Sequence, residues 1–459
     1  LGTLSNIAIQ IYFAHELTKA LNGDYINFSM RLITFSTIGS AGLAVMAYTY
    51  NASTIRYLLL QLPRVYYGYY ILFLIGITLL FVYFLQIGAP QQFSFGNYII
   101  TGFFFVAYVL NVVLDSILMV FRQFKFLLII AVLYTISFCF IHYNIASKGY
   151  NTIDLIYNLS YLVWAKLILY ILYYRSVYLK INPNTASIIH IRRIKALWLQ
   201  IFLFDTAQII FRFLDKFLVS FLVISELSAV YYNGTVDIPF LPVVFSAVNS
   251  AALLELSHKK RKNKPLSIHT IRSSSVLLAT ITLPIFFYLF VYRAEFINFV
   301  FSEKYTASIP IFACALLRLP AYLLNIPFYL QHRQRGDLLN KGTLLDIVLT
   351  LILIYPMYLW VGLPGIVLSF IISTYVQLAY YTYWVCKLLN TTITALFPLQ
   401  NWMVKIITFS SISLSLRYVT NTYCSNTLGL ILAGIIIGIL ALIWLIIEQK
   451  RARLVNFVA

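Results

Sequence analysis

Residues 427–447 read TLGLILAGIIIGILALIWLII, an uncharged run that ends at Glu448 and the basic tail Lys450-Arg451-Ala452-Arg453. A helix needs about 20 mostly apolar residues to cross the hydrocarbon core of a bilayer. Working outward from this run, comparable ones recur along the whole chain. Their approximate centres are Ile9, Gly42, Gly76, Ala107, Ala131, Val163, Ile210, Leu241, Thr282, Leu319, Leu351, Ile372, Ser410 and Gly438. The repetition is the pattern of a membrane protein rather than of one large soluble core. The expected fold is all-α: a polytopic integral membrane protein with about fourteen transmembrane helices.

Composition agrees. The 459 residues are 61% hydrophobic and only 10% charged, with mean hydropathy +0.86. Soluble domains carry about 25% charged residues. Many of the 36 Tyr and 36 Phe sit near the ends of the runs, where amphipathic rings suit the headgroup region. A formal charge of +19 would suggest nucleic acid on a soluble protein, but the basic residues here fall mostly between apolar runs. With the N-terminus inside, roughly 23 Lys and Arg lie in inner loops and about 5 in outer loops. Lys387 and Lys405 are counted as inner; Arg293 and Arg417 as outer. This bias places both termini in the cytoplasm. Adding or dropping one span would invert every later loop.

The longest hydrophilic connection runs from Tyr178 to Lys195 and divides the chain. The expected organisation is a six-helix N-terminal lobe over 1–177, a cytoplasmic linker over 178–195, and a six-helix C-terminal lobe over 196–388. Two additional helices and the basic tail occupy 389–459. The first pair of spans in each lobe shows a weak internal similarity, an acidic outer turn with Tyr: Asp24-Tyr25 and Glu226 to Tyr231. The first apolar run reaches His15 and Glu16 after about 14 residues, so the native chain is expected to extend upstream by roughly ten or more.

Several function classes are excluded by what is missing. The sequence has no nucleotide-binding glycine loop, no metal-ligand cluster and no nucleophile motif. Cys139, Cys314, Cys386 and Cys424 are scattered without metal or disulfide spacing. After about fourteen spans the loops average about ten residues, too short for a soluble catalytic domain. An enzyme is not expected, nor a cofactor or metal.

The informative residues are ionisable groups inside spans, which are costly in lipid and mark cavities or partners. Asp205, Gln208, Arg212, Asp215 and Lys216 share one face of the seventh span. That stripe either lines an aqueous lumen or welds helices through an Arg212–Asp215 pair. Cys314, Arg318, Tyr322, Asn325 and Tyr329 follow helical spacing on the tenth span. Arg318 lies near mid-bilayer, as a functional cation or as the partner of Asp237 or Asp346. Smaller signals are Asn233 with Asp237, Asn111 with Asp115, and Lys166. Arg31 either snorkels to the interface or faces a ligand, and Glu16 is either a protonatable coupling group or simply solvated. The run His258-Lys259-Lys260-Arg261-Lys262-Asn263-Lys264 orients the chain and meets anionic membrane lipids, or gathers phosphate at the cytoplasmic mouth.

Three stretches resemble Wzx-type polysaccharide (O-antigen) flippases, of the superfamily that includes MATE exporters and lipid II flippases. They are Arg212-Phe-Leu-Asp-Lys-Phe-Leu218 running to Glu226-Leu-Ser-Ala-Val-Tyr-Tyr232, Phe301-Ser-Glu-Lys-Tyr-Thr-Ala-Ser308, and Val361-Gly-Leu-Pro-Gly-Ile366. Ser302 stands where the family usually has Gly, and no Pro falls at 250–256, where the family often has one near the end of span eight. The resemblance covers the whole chain by layout and about a third of it by motif.

It implies two six-helix lobes around a central cavity with alternating access, in the bacterial cytoplasmic (inner) membrane. The substrate would be an oligosaccharide on an undecaprenyl pyrophosphate carrier, with a polysaccharide polymerase and chain-length machinery as further partners. Arg212, Lys216, Arg318 and Arg31 are then candidate substrate contacts, and Asp215, Asp237 and Glu16 candidate coupling or orienting groups. The rival is a MATE-like ion-coupled small-molecule antiporter. It would favour acidic lumen residues, whereas the balance around spans seven and ten is basic.

Overall fold

The structure, a computed structural model, describes residues 2–43, 52–88, 95–149, 151–179, 198, 202, 206, 214–220, 223–238, 240–258, 264–333 and 335–458. Described regular structure is helical throughout, as the apolar runs require: lipid offers no partner to an exposed N–H or C=O, so the backbone must bond within itself. Packing divides the chain into two units, Leu1–Val230 and Tyr231–Ala459. This line falls later than the 178–195 linker on which the sequence reading divides the chain.

In the first unit, α1 (Gly2–Glu16), α2 (Lys19–Gly39), α3 (Ala52–Gln61), α4 (Arg64–Gly88), α5 (Phe95–Val120), α6 (Phe124–Ser147) and α7 (Thr152–Tyr178) follow one another. A helical stretch at 214–220 and the start of α8 (Ser225–Gly234) complete it. The closest pairing is α5 with α7. Asn111 of α5 donates to the carbonyl of Val163 at 2.9 Å, a cross-helix bond that lipid cannot replace.

In the second unit, α9 (Leu241–His258), α10 (Lys264–Val291) and α11 (Arg293–Phe301) lead to a 3-10 turn at Glu303–Ser308. Then come α12 (Ile309–Leu316), a 3-10 turn at Pro320–Leu323 and α13 (Pro327–His332). The unit ends with α14 (Gly336–Val361), α15 (Leu363–Leu389), α16 (Ile393–Leu396), α17 (Leu399–Tyr423) and α18 (Asn426–Val458). Its hub is α10, packed against α9, α17 and α18. Buried Ser274, Ser275, Ala279, Thr280 and Thr282 keep its surface small, so neighbours approach closely. The α14–α15 hairpin closes where the sequence places the Val361–Ile366 turn: Gly362 takes φ 74°, and a Cβ on Gly365 would stand 2.0 Å from the Met357 carbonyl oxygen.

Among the described residues, nine helical segments are long and apolar enough to cross a membrane: α4, α5, α6, α7, α10, Glu303–Leu323, α14, α15 and Asn426–Glu448. Large apolar side chains stand open on their outer faces, such as Leu79, Ile136, Leu172 and Trp360, as helices facing hydrocarbon require. Four more helices, α1, α2, α9 and α17, fall at other expected spans but are shorter or more polar. Most of the seventh expected span lies outside the described residues.

Among the described residues, three expected spans differ from continuous helices, and each is broken near its expected centre. At the second, α2 stops at Gly39, and Ala41 (φ 51°) and Gly42 (φ 67°) turn the chain left-handed. At the eighth, α8 ends at Gly234, and Leu241 begins a helix instead of centring one. At the tenth, Pro320 and Pro327 open new short segments, so the Cys314–Tyr329 stripe does not lie on one helix. Freed carbonyls find partners. Trp198 Nε1 donates to Ala41 at 2.8 Å, and the Tyr375 hydroxyl donates to Leu317 at 3.0 Å. Asp24-Tyr25 and Glu226 to Tyr231 lie inside α2 and α8 rather than in outer turns.

Candidate functional site

Broken backbone at membrane depth persists only where protein or water satisfies it, and in transporters it marks the binding site. Among the described residues of the second unit, the helices are interrupted at 235–238 and at 317–326, and an ion pair joins the two segments. The Arg318 guanidinium donates to Asp237 Oδ1. The pair is not sealed away, since the Arg318 side chain keeps 51% of its exposure and Asp237 keeps 39%. Of the two partners that sequence allowed for Arg318, the structure selects Asp237. Eight residues past Asp237, Phe245 of α9 stacks on Tyr322, four past Arg318, with centroids 3.9 Å apart and planes at 22°.

The open face of α9 extends this wall. Ser246, Ala247, Ala251 and Glu255 are exposed at helical spacing. Past the exposed Val243 they are small or polar, unlike the Leu and Ile that α14 turns outward, and such a stretch suits water better than lipid chains. Sequence reasoning named neither Phe245 nor Glu255. The signal was the helical spacing of small and polar residues along an otherwise apolar run.

Asp346 sits elsewhere in this unit, on α14. It is 3% exposed, with Ser373 of α15 beside it, and its Oδ1 has no hydrogen-bond partner among the described residues. A buried carboxylate with an open oxygen is expensive unless a proton or cation visits it.

In the first unit Arg31 is 3% exposed. It donates to the Phe84 carbonyl at 2.8 Å and the Ser220 carbonyl at 3.2 Å, both near helix C-terminal ends. In this conformation it clasps α2, α4 and 214–220 and offers no open face to a ligand. Nearby, Ser225 donates to Asp24 at 2.6 Å, and a Cβ on Gly23 would lie 1.8 Å from the Ser225 carbonyl oxygen. Only glycine allows this approach. Lys216 and Asp215 are half-buried on 214–220, and both have partners. Arg212, with Asp205 and Gln208, lies outside the described residues, as does the basic run from Lys259 to Asn263. Glu16 is exposed at the end of α1.

Two charges separated in sequence meet inside this unit. Lys166 of α7 bonds Asp115 of α5 at 2.9 Å, and Tyr170 donates to the same carboxylate at 2.5 Å. The rings of Tyr134 and Tyr170 flank the ammonium at 5.0 and 4.9 Å.

Lys405 corrects the sequence reading outright. Counted as an inner-loop charge, it is instead wholly buried in α17. It donates to Thr280 Oγ1 at 2.6 Å and to the Val276 carbonyl at 3.1 Å, with Glu448 of α18 at 3.4 Å. Arg417 likewise lies within α17 and pairs with Glu295 of α11. The hint was Lys405's place inside the apolar run that begins at Trp402.

The helices, the outward apolar faces and the interrupted spans define a multi-spanning α-helical membrane protein. Over 98% of this chain and 97% of the other, the fold matches the lipid II flippase MurJ in an inward closed conformation, with TM-score 0.67 and 15% identity. A MATE structure in complex with MaL6 matches 85% of this chain and 92% of its own, with TM-score 0.50 and 14% identity. No curated protein matches the chain in sequence. The family model described as "Polysaccharide biosynthesis protein" matches residues 69–310, more than half of the chain, and the chain belongs to that family.

Proposed function

We propose that the chain is a Wzx-type flippase. It carries a polyprenyl-pyrophosphate-linked oligosaccharide from the cytoplasmic to the outer leaflet of the bacterial cytoplasmic membrane, with both termini cytoplasmic and about fourteen spans. Membership of the polysaccharide biosynthesis family supports the pathway class. The observation that carries the reading is Arg318: a guanidinium at the break of a membrane span, half open, beside the Asp237 carboxylate. Apolar lateral faces suit a polyprenyl tail, and a cation at the break suits a pyrophosphate. Arg318 contacts the anionic head and Asp237 orients it; Lys216 and Arg212 are further candidate cations, Asp215 a further orienting group, and the polymerase and chain-length machinery receive the product.

The test is a comparison of Arg318→Ala, Asp237→Ala and the double variant in proteoliposomes, with leaflet exchange of the lipid-linked oligosaccharide and detergent stability scored separately. Arg318→Ala should lose exchange while remaining folded. Arg318→Lys should recover part of it, because lysine keeps the charge but not the planar fork that grips phosphate. Full exchange with restored stability in the double variant would reduce the pair to a helix weld and remove Arg318 from the site.

A further inference from the structure

The Phe245–Tyr322 stack does something the ion pair beside it does not. Two aromatic rings at 3.9 Å centroid distance and 22° form a rigid slab. Phe245 is the buried backing, 8% exposed, and Tyr322 is half-buried in front of it. The slab is anchored in the 3-10 turn Pro320–Leu323, whose proline fixes the backbone, so little freedom remains to be lost on binding. The same two segments carry a guanidinium and a carboxylate that orient each other: Arg318 four residues before Tyr322, and Asp237 eight before Phe245. Ser246, the residue after Phe245, is exposed. Further along the two segments, Asn249 Oδ1 and Asn325 Nδ2 are buried without hydrogen-bond partners among the described residues. Buried amide atoms are rarely left open, and these two would be satisfied by a hydroxylated ligand or its water.

A flat apolar face rimmed by fixed donors and acceptors is complementary to a pyranose ring. The axial C–H groups of the sugar lie on the aromatic face, and its equatorial hydroxyls meet the charged rim. A pyrophosphate has no use for an aromatic slab, and a polyprenyl chain has none for the rim. The geometry points to a carbohydrate subsite on the second unit, in which Tyr322 is the stacking platform for one sugar ring of the glycan. This rests on the flippase reading for its substrate class but assigns a different part of the substrate to a different residue.

The probe is the free oligosaccharide released by mild acid from the host's polyprenyl-pyrophosphate pool, added to detergent-solubilised full-length protein. Saturation-transfer NMR should show signal passing to sugar ring protons in the wild type and in Tyr322→Phe, which keeps the platform. Tyr322→Ala should weaken binding roughly two- to tenfold, the range of one aromatic contact. Equal transfer in wild type and Tyr322→Ala would overturn the subsite, and so would its absence in both. A parallel exchange assay separates this from the flippase reading. With oligosaccharide-bearing and bare polyprenyl pyrophosphate side by side, Tyr322→Ala should slow the first and spare the second; slowing both alike would also overturn it. A wild type that binds the sugar through Tyr322 but moves neither lipid would sink the flippase reading and leave the subsite standing.

Discussion

Replacing Glu448 by Gln isolates what one charge does for the attachment of the C-terminal helix pair. In the wild type, Lys405 is wholly buried, and its ammonium has three neighbours: Thr280 Oγ1 at 2.6 Å, the Val276 carbonyl at 3.1 Å and Glu448 at 3.4 Å. The glutamine keeps an acceptor for Asn401, which donates to Glu448 at 2.9 Å, and for Trp444 at 3.4 Å. Only the negative charge goes. Breaking a buried ion pair costs about 3–5 kcal/mol, because the remaining charge is stranded. Two neutral acceptors still solvate Lys405, so the low end, about 3 kcal/mol, applies. For a unit the size of Tyr231–Ala459, that corresponds to a melting point lower by about 6–12 °C. Thermal melting in detergent, followed through tryptophan emission, reads it directly, since Trp402 and Trp444 lie on the two helices concerned. Adding Lys405→Met to the Glu448→Gln variant removes the stranded charge and should recover most of the loss. A single variant that melts with the wild type, or a double variant no better than the single, would refute the reasoning.

Other perturbations follow from the same geometry. Ser302 holds φ 79° and ψ 161°, a region that costs a side chain about 1–3 kcal/mol, so Ser302→Gly should raise stability by about 1 kcal/mol in the same melt. Gly365→Ala would drive a methyl into the Met357 carbonyl, and a loss of about 2 kcal/mol or more is expected. Arg31→Leu removes the bonds to the Phe84 and Ser220 carbonyls and should lower stability by about 1–2 kcal/mol, with Arg31→Lys recovering part; an unchanged melt would show that the clasp is idle.

The membrane fold was legible because it rests on run length, which a sequence displays directly. Where runs were read as continuous helices, the reading went wrong at local backbone chemistry. Gly42 and Leu319 looked like centres of spans because their neighbours are apolar, yet Gly42 takes a positive φ, and Pro320 and Pro327 each restart the chain. Hydropathy cannot see such breaks, although the prolines could have flagged the tenth span. Ser302 shows the reverse case. Glycine is usual there in the Wzx-type flippases that the segment resembles, and φ 79° is a value that glycine adopts without strain. The Arg318–Asp237 pair was anticipated as one of two partnerships, but 81 residues separate the two and only the fold brings them together. Lys166 and Asp115 were each noted, without a way to join charges 51 residues apart. Lys405 was missed because a lysine near a predicted loop reads as topology until packing shows it buried. Phe245 and Tyr322 were invisible as a pair, since aromatic residues are common throughout this chain.

The central claim is that the chain moves a glycan-bearing, anionic-headed lipid between leaflets, with Arg318 as a working cation. The most direct measurement reconstitutes the protein in liposomes with fluorescently labelled polyprenyl-pyrophosphate-linked oligosaccharide in both leaflets. A membrane-impermeant quencher then scores the protected fraction over time, with and without an ion gradient. The account predicts rapid loss of the protected fraction in the wild type and a protected fraction close to that of protein-free liposomes with folded Arg318→Ala. Protection unchanged by the wild type under every gradient, or equal exchange in wild type and Arg318→Ala, would contradict it.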